Sequence, residues 1–220
     1  MAGDRMTAPA LRLLIVDDHR LLRKGIARLL DLEPGMTVVA EAGNGEEAVE
    51  QFKRHMPDVT LMDLELPRMD GVEAISAIRR DYPNARVIAL TMYQGDEDIH
   101  RAVQAGASAY LLKDTVPEVL IRVIHDVHAG HRVFPPEIVA AIKRRAGQPA
   151  LTSREVQVLE LLAEGKRTKE IAAALGVTTD TANAHIKNIY SKFAVHGRGA
   201  VVFEAIRRGF IRRERSTYPV

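Results

Sequence analysis

The sequence predicts two domains of different fold class. The first is α/β, a doubly wound five-stranded parallel sheet, and the second is a small all-α four-helix domain that contains a helix-turn-helix. Up to residue 130, short β-rich runs alternate with helical segments, and beyond residue 151 only helical patterns occur. The β-rich runs are continuously apolar, as expected of parallel strands covered on both faces. They cover residues 13–16, 37–40, 59–62, 87–90 and 109–112.

Between the predicted strands, apolar residues recur at helical spacing. Three such stripes lie within residues 22–30, 72–78 and 116–127. A connector follows, in which Pro135-Pro136 and Gly147-Gln148-Pro149 bracket a short helical piece over residues 137–145. Because prolines restrict the chain on both sides of that piece, we expect a connector that is more structured than a flexible tether.

Cap residues define the four helices of the second domain. A capping box of Thr152 and Glu155 starts the first helix, which Gly165 closes. Thr168 is expected to cap a second helix over 169–175, and Thr178 a third over 179–193. The turn around Gly176 between these two helices is typical of a helix-turn-helix. The fourth helix is predicted over 199–208, with Gly209 as its stop.

Composition limits the classes of protein that remain. The 220 residues are 46% hydrophobic and 27% charged, contain no Cys and show neither a signal peptide nor an apolar run of bilayer length. We therefore expect a cytoplasmic protein without disulfides or thiolate chemistry. Residues 1–130 contain 15 Lys and Arg against 21 Asp and Glu, whereas 131–220 contain 16 against 8. The basic second half suggests a polyanionic partner such as nucleic acid.

Unusual polar residues stand at the ends of four predicted strands. They are Asp17-Asp18, Asp63, Thr91 and Lys113. Parallel strands open at one edge of a sheet, so these side chains are expected to meet in one crevice. Clustered carboxylates attract a hard divalent cation, and a lysine and a hydroxyl beside them suit a phosphoryl group. Each residue alone has a simpler explanation, such as Asp17-Asp18 capping the helix that begins near His19.

Residues 11–130 resemble a response-regulator receiver domain, which has a flavodoxin-like fold, with these strand-end residues in matching places. The resemblance implies that Asp63 accepts phosphate from a partner histidine kinase. The only chemistry of the protein would then be phosphotransfer to itself and autodephosphorylation, so it would not be an enzyme acting on external substrates. Thr91 and Tyr110 would be the switch pair, in which the hydroxyl moves to the acyl phosphate and the ring rotates inward.

The resemblance also implies a Mg²⁺ site. Asp18, Asp63 and the main-chain carbonyl of Glu65 would hold the ion, and Asp17 would assist through water. The Glu65 side chain has two open interpretations. It either faces solvent, or its charge alters the lifetime of the acyl phosphate by repelling or orienting water.

The second half resembles the LuxR-type helix-turn-helix, in the run that begins Leu151-Thr-Ser-Arg-Glu and includes Lys169-Glu-Ile-Ala and His185-Ile-Lys-Asn-Ile. The whole chain therefore resembles a NarL/FixJ-type response regulator, which implies binding to double-stranded DNA. By helical spacing, residues 183, 184 and 187 share an exposed face. We expect Asn183 and Lys187 to read base edges and Ala184 to offer a methyl contact. Candidate phosphate contacts are Lys169, Thr181, His185 and Lys192.

Two features depart from the family pattern. Ala182 stands where Val is usual, so less apolar side chain is available for packing at this position. Gly197 and Gly199 give the backbone more freedom at the start of the last helix. That helix forms the dimer face in relatives, and a homodimer on DNA is expected through it, through the receiver, or through both. The predicted segments are an N-terminal tail 1–10, a receiver domain 11–130, a linker 131–150, a DNA-binding domain 151–211 and a basic tail 212–220.

Two rival functions stay open at this stage. A regulator of the same build could bind DNA without any phosphate control, although the complete set of strand-end residues argues against it. A phosphatase could use Asp63 as a covalent nucleophile, but this interpretation leaves the basic half without a role. A quorum-sensing regulator with the same DNA-binding domain is excluded, because its ligand-binding half would need a large apolar pocket.

Overall fold

The computed structural model describes residues 9–92 and 95–211. Most of the predicted N-terminal tail and the whole basic tail 212–220 lie outside the described residues. The chain divides into two compact units, of which the first contains residues 9–92 and 99–139 and the second residues 95–98 and 140–211. Among the described residues, every helix is too short or too polar to cross a bilayer.

The first unit is the predicted five-stranded parallel sheet. Its strands follow the order β2-β1-β3-β4-β5. The chain thus adds β2 on one side of β1 and β3, β4 and β5 on the other, and the strand order reverses between β1 and β3. The strands are β1 (Leu11–Val16), β2 (Met36–Ala42), β3 (Val59–Met62), β4 (Val87–Thr91) and β5 (Ala109–Leu112). The helices are α1 (Arg20–Asp31), α2 (Gly45–His55), α3 (Gly71–Asp81), most of α4 (Asp96–Gln104) and α5 (Pro117–His128).

All five strands form where the apolar runs predicted them. One face of the sheet packs against α1 and α5 through aliphatic side chains such as Leu13, Ile15, Leu30 and Ile124, all of them buried. The contacting residues of α5 belong to the stripe predicted over 116–127. Burial on both faces explains why the central strands β3 and β4, whose residues are all buried, contain Thr60 as their one polar residue before their C-terminal ends.

The second unit is a helical bundle, as predicted. Its core contains the apolar residues that the sequence pattern assigned to helix packing, among them Val158, Ile171 and Ile189. Its helices are α7 (Ser153–Ala163), α8 (Thr168–Leu175), α9 (Thr179–Phe193) and α10 (Arg198–Arg208), and α6 (Pro136–Ala146) precedes them.

One predicted helix cap is wrong. Thr168 is the first residue of α8, and Arg167 occupies the N-cap position. The reason is Glu170, whose carboxylate accepts a hydrogen bond of 2.6 Å from the Arg167 amide and so fixes the cap three residues earlier. The other caps form as predicted: Thr152 and Glu155 make a reciprocal capping box, Thr178 caps α9, and Gly176 ends α8 in the left-handed conformation.

Candidate functional site

An acid pocket lies at the C-terminal edge of the sheet. Backbone hydrogen bonds continue the strand pairing just past the strands, since the Asp63 amide donates to the Val16 carbonyl at 2.9 Å and the Lys113 amide to the Thr91 carbonyl at 2.9 Å. Asp17 and Asp63 therefore stand side by side after β1 and β3, and both are buried. The two aspartates thus meet as predicted, at the reversal of strand order, where ligands bind in such sheets.

Lys113 joins the two buried aspartates. Its Nζ lies 2.6 Å from Asp17 Oδ2 and 2.6 Å from Asp63 Oδ2, and its side chain is 3% exposed. Burial raises the pKa of Asp63 above its ordinary value, and Lys113 offsets this only in part. Burial alone would lower the pKa of Lys113, but its bonds to the two aspartates outweigh burial and raise it. Lys113 is therefore a permanent cation beside Asp63.

The predicted switch residues occupy neighbouring strands. Thr91 ends β4 and is buried, at the same edge of the sheet as Asp63. Tyr110 lies in β5 opposite Ala89 and is fully buried. The structure thus brings Thr91 to the edge of the acid pocket and has the Tyr110 ring inside the unit.

The pocket offers a donor set that suits a divalent cation. Carboxylate oxygens of Asp17, Asp18 and Asp63 and a ring nitrogen of His19 all lie within 4.8 Å of one another. Oxygen-rich sets of this kind are what Mg²⁺ prefers. The Glu65 amide donates to Asp63 Oδ1 at 3.1 Å, so the loop after β3 turns back over the Asp63 carboxylate.

His19 is a pocket residue that sequence reasoning used only to mark a helix start. Its amide donates to Asp17 Oδ1 at 2.7 Å, and its Nδ1 lies 2.8 Å from Asp18 Oδ1. Its position directly after Asp17-Asp18 was the available signal. His19 therefore ties the pocket to the beginning of α1.

Gly71 allows α3 to begin against the backbone of Asp63. A Cβ atom at this position would lie 2.0 Å from the Asp63 carbonyl oxygen and 2.7 Å from Leu64 Cα, and neither backbone atom can move away cheaply. The Gly71 amide donates to the Leu64 carbonyl at 3.0 Å, and Asp70 caps α3 in a capping box with Glu73. The start of α3 thus fixes the loop that carries Asp63.

The predicted base-reading residues share one exposed face of α9. Asn183, Ala184 and Lys187 are all exposed, whereas Ala182 and Ile189 are buried on the opposite face. The helix follows the turn at Gly176, as in a helix-turn-helix. An exposed polar face at the N-terminal part of this helix is the surface that such motifs insert into the major groove.

The four predicted phosphate contacts differ in their surroundings. Lys169 and Thr181 are exposed and His185 is half-buried, and the Thr181 hydroxyl lies 2.9 Å from that of Thr178. Lys192 instead packs inward. Its Nζ donates to Glu155 Oε2 at 2.6 Å and to the Ala150 carbonyl at 2.9 Å.

Glu155 is the buried partner in this network. Its side chain is 4% exposed, and its Oε2 also accepts bonds from the Thr152 amide at 2.7 Å and the Thr152 hydroxyl at 3.0 Å. Burial would raise the pKa of Glu155, but the bonds from Lys192 and Thr152 outweigh burial and lower it. Glu155 thus stays ionised and links the start of α7 to the end of α9.

A doubly wound parallel sheet with an acid pocket at one edge, followed by a helix-turn-helix unit, is the arrangement of a DNA-binding regulator. Comparison with known proteins agrees. The family "Response regulator receiver domain" matches residues 13–125, and "Bacterial regulatory proteins, luxR family" matches residues 149–205. The chain belongs to the response regulators with a LuxR-type DNA-binding domain, the two-component proteins that regulate transcription.

Individual relatives cover nearly the whole chain. The nitrate/nitrite response regulator protein NarP of Escherichia coli (strain K12) is 39% identical over 200 residues, which are 88% of this chain and 93% of NarP. The response regulator protein VraR of Staphylococcus epidermidis is 35% identical over 207 residues, 92% of this chain and 99% of VraR. The crystal structure of the response regulator ChrA, from a heme-sensing two-component system, is 33% identical with a TM-score of 0.56, covering 93% of this chain and all of ChrA.

Proposed function

We propose that Asp63 is the residue that accepts the phosphoryl group of a phosphohistidine on the partner kinase. An Asp63 carboxylate oxygen bonds to phosphorus as the phosphorus–nitrogen bond breaks, and the imidazole nitrogen leaves with the electron pair. The observation that carries this proposal is the ammonium of Lys113, 2.6 Å from Asp63 Oδ2. A cation fixed there balances the charge that collects on the equatorial oxygens during transfer.

We infer that the cation of the acid pocket is Mg²⁺. Asp18, Asp63 and the main-chain carbonyl of Glu65 would hold it, with Asp17 assisting through water. When bound, Mg²⁺ neutralises the repulsion among these carboxylates and adds positive charge beside the phosphoryl oxygens. The all-oxygen chemistry of the three aspartates supports this choice over a softer metal.

Phosphorylation would be transmitted through Thr91 and Tyr110. The Thr91 hydroxyl would move to the acyl phosphate, and the space it leaves would favour the inward position of the Tyr110 ring. The full burial of Tyr110 is compatible with that position. The same pocket would remove its own phosphate by admitting water, so phosphotransfer and autodephosphorylation both act only on this chain.

The Glu65 side chain is proposed to set the lifetime of the acyl phosphate. It follows the acceptor by two residues, it is half-buried, and its amide bonds the Asp63 carboxylate. A carboxylate there would repel or orient the attacking water. Dephosphorylation of Glu65→Gln, compared with the exposed-site control Glu118→Gln, tests this. An unchanged rate for Glu65→Gln would contradict the idea.

In the DNA-binding domain we propose that Asn183 and Lys187 read base edges and that Ala184 makes a methyl contact. Asparagine pairs well with adenine and lysine with guanine, and the two lie one helical turn apart. Lys169, Thr181 and His185 would contact phosphates. Lys192 was expected among them, but its bonds to Glu155 and Ala150 favour a role in the fold of the unit.

We further propose that the regulator acts in the cytoplasm as a homodimer on DNA. Phe203 is 70% exposed on α10, the helix expected to form a dimer face, and Ile206 on the same helix is exposed too. Dimerisation through the receiver domain, predicted over 11–130, would add to this contact. The linker 131–150 would couple the receiver domain to the DNA-binding domain 151–211.

One experiment tests the main proposal. DNA is selected from a random library by the full chain, with and without acetyl phosphate and Mg²⁺, for the wild type and for Asp63→Asn. We expect acetyl phosphate to strengthen binding by the wild type only. Equal responses of the two proteins would favour the rival regulator that works without phosphate. Turnover of p-nitrophenyl phosphate that depends on Asp63 would favour the phosphatase.

A further inference from the structure

A cleft of about 420 Å³ lies at the edge of the sheet opposite the acid pocket. It is formed where the chain enters β4 and β5, because Arg86 precedes β4 and Ser108 precedes β5. Since all five strands are parallel, the acid pocket and this cleft lie at opposite ends of the same unit. The proposed phosphotransfer uses none of the cleft residues.

Three arginines line the cleft, and no Asp or Glu does. They come from different segments: Arg79 from the end of α3, Arg86 from the loop before β4, and Arg132 from the segment after α5. Within residues 9–92 and 95–211, none of the three forms an ion pair with a carboxylate. Three unneutralised guanidinium groups around one concave surface favour an anion there.

Two of the guanidinium groups are held in place by backbone carbonyls. Arg79 Nη1 donates to the Ala85 carbonyl at 2.9 Å, and Arg132 Nη2 donates to the Ala107 carbonyl at 3.3 Å. Gly106 makes room for the first, because a Cβ there would lie 2.8 Å from Arg79 Nε. A guanidinium group has five N–H donors, so most donors remain for a ligand.

The arginines do more than balance the helix dipoles. The last turns of α3, α4 and α5 all reach this cleft, through Arg79, Val103 and Val127. Each helix C-terminus carries about −0.5 of a charge, which sums to about −1.5 against three full positive charges. Among the groups that line the cleft, the arginines thus exceed the helix ends by about 1.5 charges. The anchored guanidinium groups bond loop carbonyls and not the helix ends.

We propose that this cleft binds a small phosphate-bearing anion, either inorganic phosphate or a phosphate monoester. Arginine forks match phosphate oxygens two at a time, and the volume accommodates a ligand larger than phosphate alone. Binding would also act on the connector. Arg132 precedes Val133, whose amide donates to the Ser108 carbonyl at 2.9 Å and whose carbonyl accepts from the Tyr110 amide at 3.4 Å. An anion shared by Arg86 and Arg132 would strengthen this attachment of the connector to β5.

Calorimetric titration of the full chain tests the proposal. Inorganic phosphate and adenosine monophosphate are the two probes, at constant ionic strength and with EDTA present so that no divalent cation brings phosphate to the acid pocket. The main variant is Arg86→Gln, because Arg86 makes no side-chain hydrogen bond or ion pair within the described residues. Arg122→Gln, an exposed arginine of α5 outside the cleft, removes the same charge as a control.

We expect Arg86→Gln and Arg132→Gln each to weaken binding about tenfold, as the loss of one charge-assisted bond should. Arg122→Gln should change it less than about twofold. The probe that binds more tightly identifies whether phosphate alone or a monoester is the ligand. Equal losses in Arg86→Gln and Arg122→Gln, or no binding of either probe by the wild type, would overturn the proposal. Phosphorylation of Asp63 should be unchanged in all three variants, so the two proposals fail independently.

Discussion

Replacing Lys192 by methionine should destabilise the DNA-binding unit without removing a DNA contact. The change keeps the unbranched apolar part of the side chain and deletes the ammonium that bonds Glu155 and Ala150. Breaking a fully buried ion pair costs about 3–5 kcal/mol. Lys192 is 25% exposed, and Glu155 keeps two bonds from Thr152, so we expect a loss of about 1–2 kcal/mol in the free energy of unfolding.

Lys187→Met is the matched variant, because Lys187 lies on the exposed face of the same helix. Its stability should stay within about 0.5 kcal/mol of the wild type. Its DNA affinity should fall by about 1–3 kcal/mol, on a duplex selected from the random library by the phosphorylated wild type. The two lysines thus give opposite results in the two measurements.

Urea unfolding measures stability, and fluorescence anisotropy at several salt concentrations measures DNA binding. A lysine that contacts a phosphate contributes about one unit to the slope of log affinity against log salt. Lys192→Met should leave this slope unchanged under conditions where the variant is folded. If Lys192→Met instead keeps the stability of the wild type and lowers the slope by about one, Lys192 is a phosphate contact and our assignment is wrong.

Three further variants test the pocket and the last helix. Gly71→Ala should lower the free energy of unfolding by about 2–4 kcal/mol and slow phosphorylation of Asp63, because the alanine Cβ would collide with the Asp63 carbonyl. Wild-type stability in urea unfolding would contradict this. Asp63→Asn should raise the free energy of unfolding at pH 7 in EDTA, because burial raises the pKa of Asp63 and its ionised form therefore opposes folding at neutral pH. The gain should vanish at pH below the ordinary value of 3.8. Glu204→Gln should lower the free energy of unfolding by about 0.5–1 kcal/mol at neutral pH, since hydrogen bonds from Arg207 lower the pKa of Glu204 from 4.5 to about 2. That difference should disappear as the pH falls from 4.5 to about 2, and a difference that persists at the acid end would show a cause other than ionisation.

Local patterns were sufficient for most of the fold. Each apolar run became a strand, because a run bounded by turn residues and covered on both faces has few alternatives. The helix limits followed from caps such as Thr178 and Gly176, which act over three or four residues. The one wrong cap is Thr168. The sequence pattern was compatible with a helix start at either Arg167 or Thr168, and the Glu170 carboxylate accepts its hydrogen bond from the Arg167 amide.

The pocket could be predicted in part. Asp17, Asp63, Thr91 and Lys113 stand at strand ends, and parallel strands necessarily bring such ends to one edge. The individual roles of Thr91, Tyr110 and the Glu65 carbonyl came from the family resemblance, since spacing alone does not assign them. The position of His19 against Asp18 depends on how α1 leaves β1, which the sequence pattern does not define.

The sequence by itself determined the class of each domain, the edge of the sheet that holds the acidic residues and which face of α9 is exposed. These properties follow from periodicities and caps that act within a few residues. Only the tertiary structure decided that Lys192 bonds Glu155, 37 residues away, and that three arginines from separate segments surround one cleft. Such contacts depend on the packing of segments that are distant in the chain, where a shift of a few ångströms decides whether two charged groups meet or remain in solvent.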